Sequence, residues 1–186
     1  MMKRGVDLVA AVLGLAVLWP LIALAAVAIR LESPGPAIFA QTRVGRRGQL
    51  FTCYKLRTMR RDAAQVPTHM VCASAVTPLG KIFRRLKLDE LPQLYNVIRG
   101  EMSLVGPRPC LPSQTELIEL RTRHGALEVL PGITGLAQVQ GIDMSDPARL
   151  AAIDGEYARN ATLAGDFKLI LRTLVGSGLG VDQVKS

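Results

Sequence analysis

Three observations predict an α+β fold for this chain. Residues 8–29 contain no charged side chain. Residues 37–42 and 50–56 are apolar-rich β-formers parted by Gly45-Arg46-Arg47-Gly48, the pattern of a small antiparallel hairpin. From residue 78 onward apolar positions recur at helical spacing in short runs, most clearly Leu79, Ile82, Phe83 and Leu86. A length of 186 residues leaves room for one modest domain with a real core and an appendage. The expected division is 1–32 as a membrane segment and 33–186 as a water-facing domain carrying interfacial helices.

Composition narrows the partners. A net charge of +8 favours anionic ones: nucleic acid, anionic lipid or phosphorylated small molecules. Aromatic residues make up only 4%, which argues against a platform for stacking bases, so no nucleic acid is expected. Cys53, Cys72 and Cys110 are odd in number and scattered, which suggests neither a disulfide framework nor a zinc site. His69 and His124 lack ligand spacing and read as loop or surface residues. A domain facing a reducing cytosol fits this pattern.

As one helix, residues 8–29 would be roughly 33 Å long, enough to cross the hydrocarbon core. A cleaved signal peptide is disfavoured, because no small-residue cleavage site precedes a secretory-looking mature start. Pro20 lies near the middle and would kink the helix. Lys3 and Arg4 flank one end, and Arg30, Arg43, Arg46 and Arg47 flank the other. The positive-inside rule wants only one basic side. A re-entrant helix–break–helix resolves the conflict, each half being about 10–12 residues and reaching mid-bilayer. A single kinked transmembrane helix is the open alternative.

Ser33-Pro34-Gly35-Pro36 is a turn cluster closing this segment. At the exit of the second strand, Lys55 and Arg57 are spaced to share one strand face and read as contacts to phosphate or carboxylate. Arg46 and Arg47, at a loop tip, are assigned to lipid headgroups or plain solvation. Residues 60–77 read as a loop. In 78–88, Lys81, Arg84 and Arg85 form a basic face opposite the apolar one, as on a helix lying on a membrane surface. Asp89 and Glu90 follow, ahead of the periodic run Leu91, Leu94, Val97 and Ile98. Pro92 falls where the first turn of that helix belongs, so Asp89 reads as lying at or near a helix N-terminus, where an anion is stabilised. Adjacent carboxylates beside clustered cations suggest a site for a phosphorylated substrate with a metal. A capping Asp with surface salt bridges explains the same residues.

Further on, Gly106-Pro107-Arg108-Pro109 holds one arginine between prolines with little backbone freedom. Residues 113–124 read as a polar-faced helix, and 131–141 as a glycine-rich loop able to approach a ligand closely. Residues 166–174 read as an amphipathic helix, and 176–186 as a frayed tail.

Leu88-Asp89-Glu90-Leu91-Pro92-Gln93-Leu94, then Asn96-Val97, Gly106-Pro107-Arg108-Pro109 and Pro131-Gly132-Ile133-Thr134-Gly135-Leu136-Ala137-Gln138-Val139, closely resemble the bacterial sugar transferases. These are monotopic polyprenol-phosphate phosphoglycosyl transferases. The resemblance runs from about residue 3 to about residue 173. It implies transfer of a sugar-1-phosphate from a UDP-sugar to polyprenol (undecaprenyl) phosphate, with release of UMP through a covalent aspartyl intermediate. It implies a re-entrant anchor in the bacterial inner membrane, a catalytic part on the cytoplasmic face, and contact with anionic membrane lipid. Asp89 would be the nucleophile and a ligand of Mg²⁺, and Glu90 its catalytic partner. Lys55, Arg57, Arg84 and Arg108 would position phosphates. Asp154, in an Asp-x-x-Tyr element with Tyr157, would orient a site cation. The 131–141 loop would lie near the nucleotide. A homo-oligomer is compatible with this reading.

Several positions depart from the family pattern. Trp19 precedes Pro20 where a small polar residue is common, and Ala73 and Ala75 replace an Asp-x-Arg pair. Leu130 and Ile142 stand where basic residues are common. A membrane-tethered basic binding protein, or a family member without activity, are the competing expectations. The tether gives no reason for Asp89-Glu90 or for the two glycine/proline loops.

Overall fold

A computed structural model describes residues 2–60 and 75–176. The readings of His69, Cys72, Ala73 and the tail beyond Gly176 lie outside the described residues. The fold is α+β. Helix α1 spans Met2–Glu32 and stays helical through Pro20. The two helical stretches expected on either side of Pro20 form one continuous helix. Proline removes one backbone donor and crowds the preceding turn, which kinks a helix without ending it when neighbouring turns hold. By length and composition α1 is able to cross a membrane. Most of its apolar side chains are exposed; its buried residues are Asp7, Ala11, Ala25 and Ile29.

Those four positions lie along the seam where α1 meets the rest of the protein. Ala11 packs with Cys53, Leu94, Val97 and Met102. Ala25 and Ile29 pack with Ala37, Leu56 and Phe83. At the N-terminal end, Lys3 pairs with Asp166 and Asp7 accepts from the Ser103 hydroxyl (2.7 Å). Arg4 donates to the carbonyls of Ile98 and Met102. At the other end Glu32 accepts from the Leu79 amide at 2.9 Å. Both ends of α1 are thus fastened to one body.

Strands β1 (Ile38–Val44) and β2 (Leu50–Leu56) form the expected antiparallel hairpin, with Ile38 opposite Leu56 and Val44 opposite Leu50. Its turn places Arg47 and Gly48 at positive φ. Arg47 forms an exposed ion pair with Glu128 at 3.3 Å, so this tip arginine meets a protein carboxylate. Helix α2 (Pro78–Arg85) is capped by the Thr77 side chain, which accepts from the Gly80 amide. Gly80 is required there: a Cβ would fall 2.1 Å from the Thr58 carbonyl oxygen. Helix α3 (Gln93–Arg99) ends at Gly100 with φ of 84°.

A second sheet was not anticipated. β3 (Ser103–Val105) and β4 (Gly132–Thr134) pair in parallel. The 131–141 stretch is therefore not a loop but a strand followed by the short helix α5 (Leu136–Val139). Gly106 and Gly132 explain the close approach, since a Cβ on Gly132 would lie 2.0 Å from the Gly106 nitrogen. Helices α4 (Thr115–Arg123), α6 (Pro147–Asn160) and α7 (Leu163–Leu174) complete the fold. Val44, Cys110, Leu117, Ala137, Ile142, Leu150 and Ala151 form one further core cluster. Ile142 thus fills the core at the position where a basic residue was noted as missing.

Candidate active site

Asp89 and Glu90 lie in a single 3₁₀ turn, Leu88–Glu90, that precedes α3. Asp89 is not the cap of α3; that position is Pro92. Lys87 enters the turn at φ of 55°, a conformation that costs a non-glycine residue roughly 1 kcal/mol. Both carboxylates are buried, at 8% and 5% exposure, although they are adjacent in sequence. Successive residues of a 3₁₀ turn point about 120° apart, so the two acids serve different directions.

Glu90 faces two cations. Its Oε1 accepts from Lys55 Nζ at 2.7 Å and pairs with Arg108 Nη1 at 3.1 Å. Burial opposes ionisation of Glu90, but Lys55 and Arg108 prevail and hold its carboxyl well below the usual carboxylate range. Lys55 arrives from β2, whose Tyr54 amide is bound by the Asn96 side chain of α3 at 3.1 Å. Asn96 also donates to the Thr52 carbonyl at 2.7 Å. The strand carrying Lys55 is therefore keyed to the helix that follows the acidic turn.

Arg108 is presented by four consecutive carbonyls, each held by a donor. Pro107 O accepts from Gly132 N (2.9 Å), and Arg108 O from Arg121 Nη1 (2.9 Å). Pro109 O accepts from Arg43 Nη1 (3.1 Å), and Cys110 O from Val44 N (2.9 Å). Such a loop has little freedom, as its prolines foreshadow. Arg84, on α2 beside the acidic turn, donates from Nε to Thr58 Oγ1 at 2.9 Å.

Two predicted site residues are used elsewhere. β2 ends at Leu56, so the alternation that would put Arg57 beside Lys55 stops one residue short. The Arg57 guanidinium instead donates to Ser33 O (2.7 Å), Ser33 Oγ (2.9 Å) and Pro34 O (3.0 Å), just beyond α1. Cations suit that end of a helix. Asp154 binds Arg121 Nη2 at 2.6 Å and Nε at 2.9 Å, both residues being buried. It does orient a cation, but that cation holds the Arg108 carbonyl. Arg121 and Arg43 went unassigned to the site in the sequence reading. For Arg43 the local signal was blurred: Gln41, Thr42 and Arg43 are three polar residues in a row, which hides the alternation of a strand face.

Among the described residues no group of three or more His, Cys, Asp or Glu side chains could hold a metal. Glu90 is committed to cations. The arrangement is a carboxylate, Asp89, in the same turn as a cluster of Glu90, Lys55 and Arg108: an oxygen able to attack phosphorus beside cations able to bind phosphate oxygens.

Glu90→Gln is expected to leave Lys55 and Arg108 facing each other without their anion, a loss on the order of 3–5 kcal/mol. Because the folded pKa lies below the unfolded value of about 4.3, this stabilisation is fully present above that pH and is lost as pH falls. Unfolding of the two proteins at pH 7, 5 and 3.5 checks this. The gap should be constant between pH 7 and 5 and narrower at 3.5.

A model of the bacterial sugar transferase family matches residues 1–177, and the chain belongs to that family. It is 45% identical over 182 residues to the UDP-glucose:undecaprenyl-phosphate glucose-1-phosphate transferase of Caulobacter vibrioides, covering 92% of this chain and 68% of the relative. It is 41% identical over 187 residues to the undecaprenyl-phosphate glucose phosphotransferase of Komagataeibacter xylinus, covering 92% of this chain but 35% of that protein. The exopolysaccharide production protein ExoY of Sinorhizobium fredii is 34% identical over 189 residues, covering 92% of this chain and 83% of the relative. The chain therefore spans most of some relatives and about a third of others.

Proposed function

We propose that the chain transfers a sugar-1-phosphate from a UDP-sugar to undecaprenyl phosphate, giving undecaprenyl diphosphate sugar and UMP. The observation that carries this is the buried acidic turn: Glu90 bound by Lys55 and Arg108, with Asp89 beside it in a different orientation. The relatives' names supply the substrates. They differ in the sugar, so the donor's sugar is left to experiment.

The chemistry proceeds in two displacements. An Asp89 oxygen attacks the sugar-proximal phosphorus; the bond to the bridging oxygen breaks, and UMP leaves. A phosphate oxygen of the polyprenol then attacks the same phosphorus, and the Asp89–phosphorus bond breaks. Carboxylates act as covalent nucleophiles in this manner. Arg108 and Lys55 bind phosphate oxygens in place, and Glu90 keeps both cations oriented. Magnesium fits the donor set, since it is bound typically by one or two carboxylates plus substrate phosphates, here Asp89 and the diphosphate. When bound it neutralises charge on the phosphate oxygens.

Membrane placement serves the second substrate. Both ends of α1 are fastened to one body, by Lys3 and Arg4 at the start and by Arg57 beyond the end. A helix crossing the bilayer would put its ends on opposite sides. This supports a re-entrant helix, kinked at Pro20 and kept within one leaflet of the inner membrane, with the catalytic part on the cytoplasmic face. Exposed Ile82 and Leu86 near α2, and Phe167, Leu171 and Leu174 on α7, supply apolar surface for that interface.

The test is UMP release in lipid discs with Mg²⁺ and a panel of UDP-sugars, with and without undecaprenyl phosphate. A stoichiometric burst without acceptor and turnover with it is the expected result. No UMP from any donor, with folded protein, would sink the proposal.

A further inference from the structure

A cleft of about 250 Å³ lies between α6 and α7. Charge divides it into two walls. The α7 wall carries Lys168 and Arg172, at i and i+4 and so on one face of the helix. The α6 wall carries Glu156 and Asn160, again at i and i+4. Asp166 and Tyr157 also line the cleft but are engaged with each other and with α1. Asp166 pairs with Lys3, and its Oδ1 accepts from the Tyr157 hydroxyl at 2.8 Å. Among the described residues Glu156, Lys168 and Arg172 form no ion pair, with one another or elsewhere. Cations on one wall and a carboxylate on the other suit a ligand that carries both charges.

The surroundings put this cleft at a membrane surface, so the inference rests on the membrane placement proposed above. Beside Lys168 and Arg172 on α7, Phe167, Leu171 and Leu174 are exposed. Lys3, which pairs with Asp166 in the cleft, stands at the start of the apolar helix α1. The cleft therefore opens where α1 meets the headgroups. It is remote from the acidic turn. Leu88 packs on the cluster of Ala25 and Ile29, about 30 Å of helix along α1 from Lys3.

We infer that this cleft binds the headgroup of a zwitterionic aminophospholipid, with its phosphate at Lys168 and Arg172 and its ammonium at Glu156. The planar fork of Arg172 suits two phosphate oxygens, and Lys168 adds a point charge. The Asn160 amide can donate to the remaining headgroup oxygens. The acyl chains then follow Phe167 and Leu171 into the bilayer. An anionic phospholipid without an amine satisfies the two cations but leaves Glu156 facing negative charge. Undecaprenyl phosphate likewise has no amine, and its phosphate has to reach Asp89.

The test is native mass spectrometry of the full chain released into detergent from vesicles of equal parts phosphatidylethanolamine and phosphatidylglycerol. Wild type should retain phosphatidylethanolamine in preference by about 2- to 5-fold, the worth of one exposed ion pair. Lys168→Gln combined with Arg172→Gln should cut retained lipid at least about tenfold, since two charge-assisted bonds to phosphate are lost. Glu156→Gln should keep the lipid but abolish the preference or turn it toward phosphatidylglycerol. All three residues are exposed, so the variants should fold as wild type does. A wild-type preference for phosphatidylglycerol would make the cleft a site for anionic lipid and overturn the inference. So would a preference unchanged in Glu156→Gln, or retention unchanged in the double variant. Undecaprenyl phosphate added in equal amount should leave the phospholipid in place; displacement would assign the cleft to the acceptor and overturn the inference too. If the chain enters vesicles but shows any of these results, the inference alone fails. If it enters vesicles of neither lipid, the membrane placement fails with it. Lipid retention is read without turnover, so the transferase reading is judged separately by UMP release.

Discussion

Asp89→Asn abolishes release of UMP, by at least about 10³-fold, while Glu90 keeps its two cations. Asparagine preserves the size of the side chain but offers no anionic oxygen to attack phosphorus. Glu90 is a poor substitute. Its Oε1 is engaged by both Lys55 and Arg108, and the depression of its pKa marks a weakly basic oxygen. The adjacent position does not help, because the 3₁₀ turn sends the two side chains in different directions. The measurement is incubation with a UDP-sugar labelled in the sugar, without acceptor, followed by separation of protein from nucleotide. Label should remain on wild type in near-equal molar amount and be absent from Asp89→Asn. Turnover without label on the wild-type protein would instead mean direct transfer between the substrates. A membrane-tethered binding protein would show neither label nor UMP, and its anion binding would survive or strengthen in the variant.

Elements with a local period were legible, and those made by long-range contact were not. The β1–β2 hairpin could be read because two β-rich runs flank Gly45-Arg46-Arg47-Gly48, and the pairing follows from sequence adjacency. The basic face of α2 could be read because Lys81, Arg84 and Arg85 repeat at helical spacing. β3 and β4 could not, since strands of three residues carry no period and the pairing joins segments about thirty residues apart. What permits it is the absence of side chains at Gly106 and Gly132. In the site, Asp89, Glu90 and Arg108 were singled out by motif, and Lys55 lies on the carboxylate of Glu90. Arg57 misled because the strand face rule was carried one residue past Leu56, where the strand ends. Arg121 lies in the stretch read only as a polar-faced helix, 113–124. Its partner lies on another helix, and no local pattern announces a pair 33 residues apart.

That pair carries the second large effect. Asp154→Asn is expected to cost about 3–5 kcal/mol of stability, lowering the unfolding midpoint in detergent by roughly 10 °C. Arg121 is 1% exposed, so without the carboxylate its charge is buried against a neutral amide that offers it a single acceptor oxygen. The damage should reach the site, because Arg121 also donates to the Arg108 carbonyl, and a loosened Arg108 loop raises KM for the donor. A direct substrate contact by Asp154 predicts a different pattern: lost activity with the melting midpoint unchanged. The double replacement Asp154→Leu with Arg121→Met separates the two. Replacing a buried ion pair by apolar side chains of similar size often restores or raises stability. If Asp154 acts through Arg121, the double variant melts near wild type and regains activity relative to Asp154→Asn, limited by the lost bond to Arg108 O. If Asp154 touches the substrate, the double variant melts normally and stays as inactive as the single one.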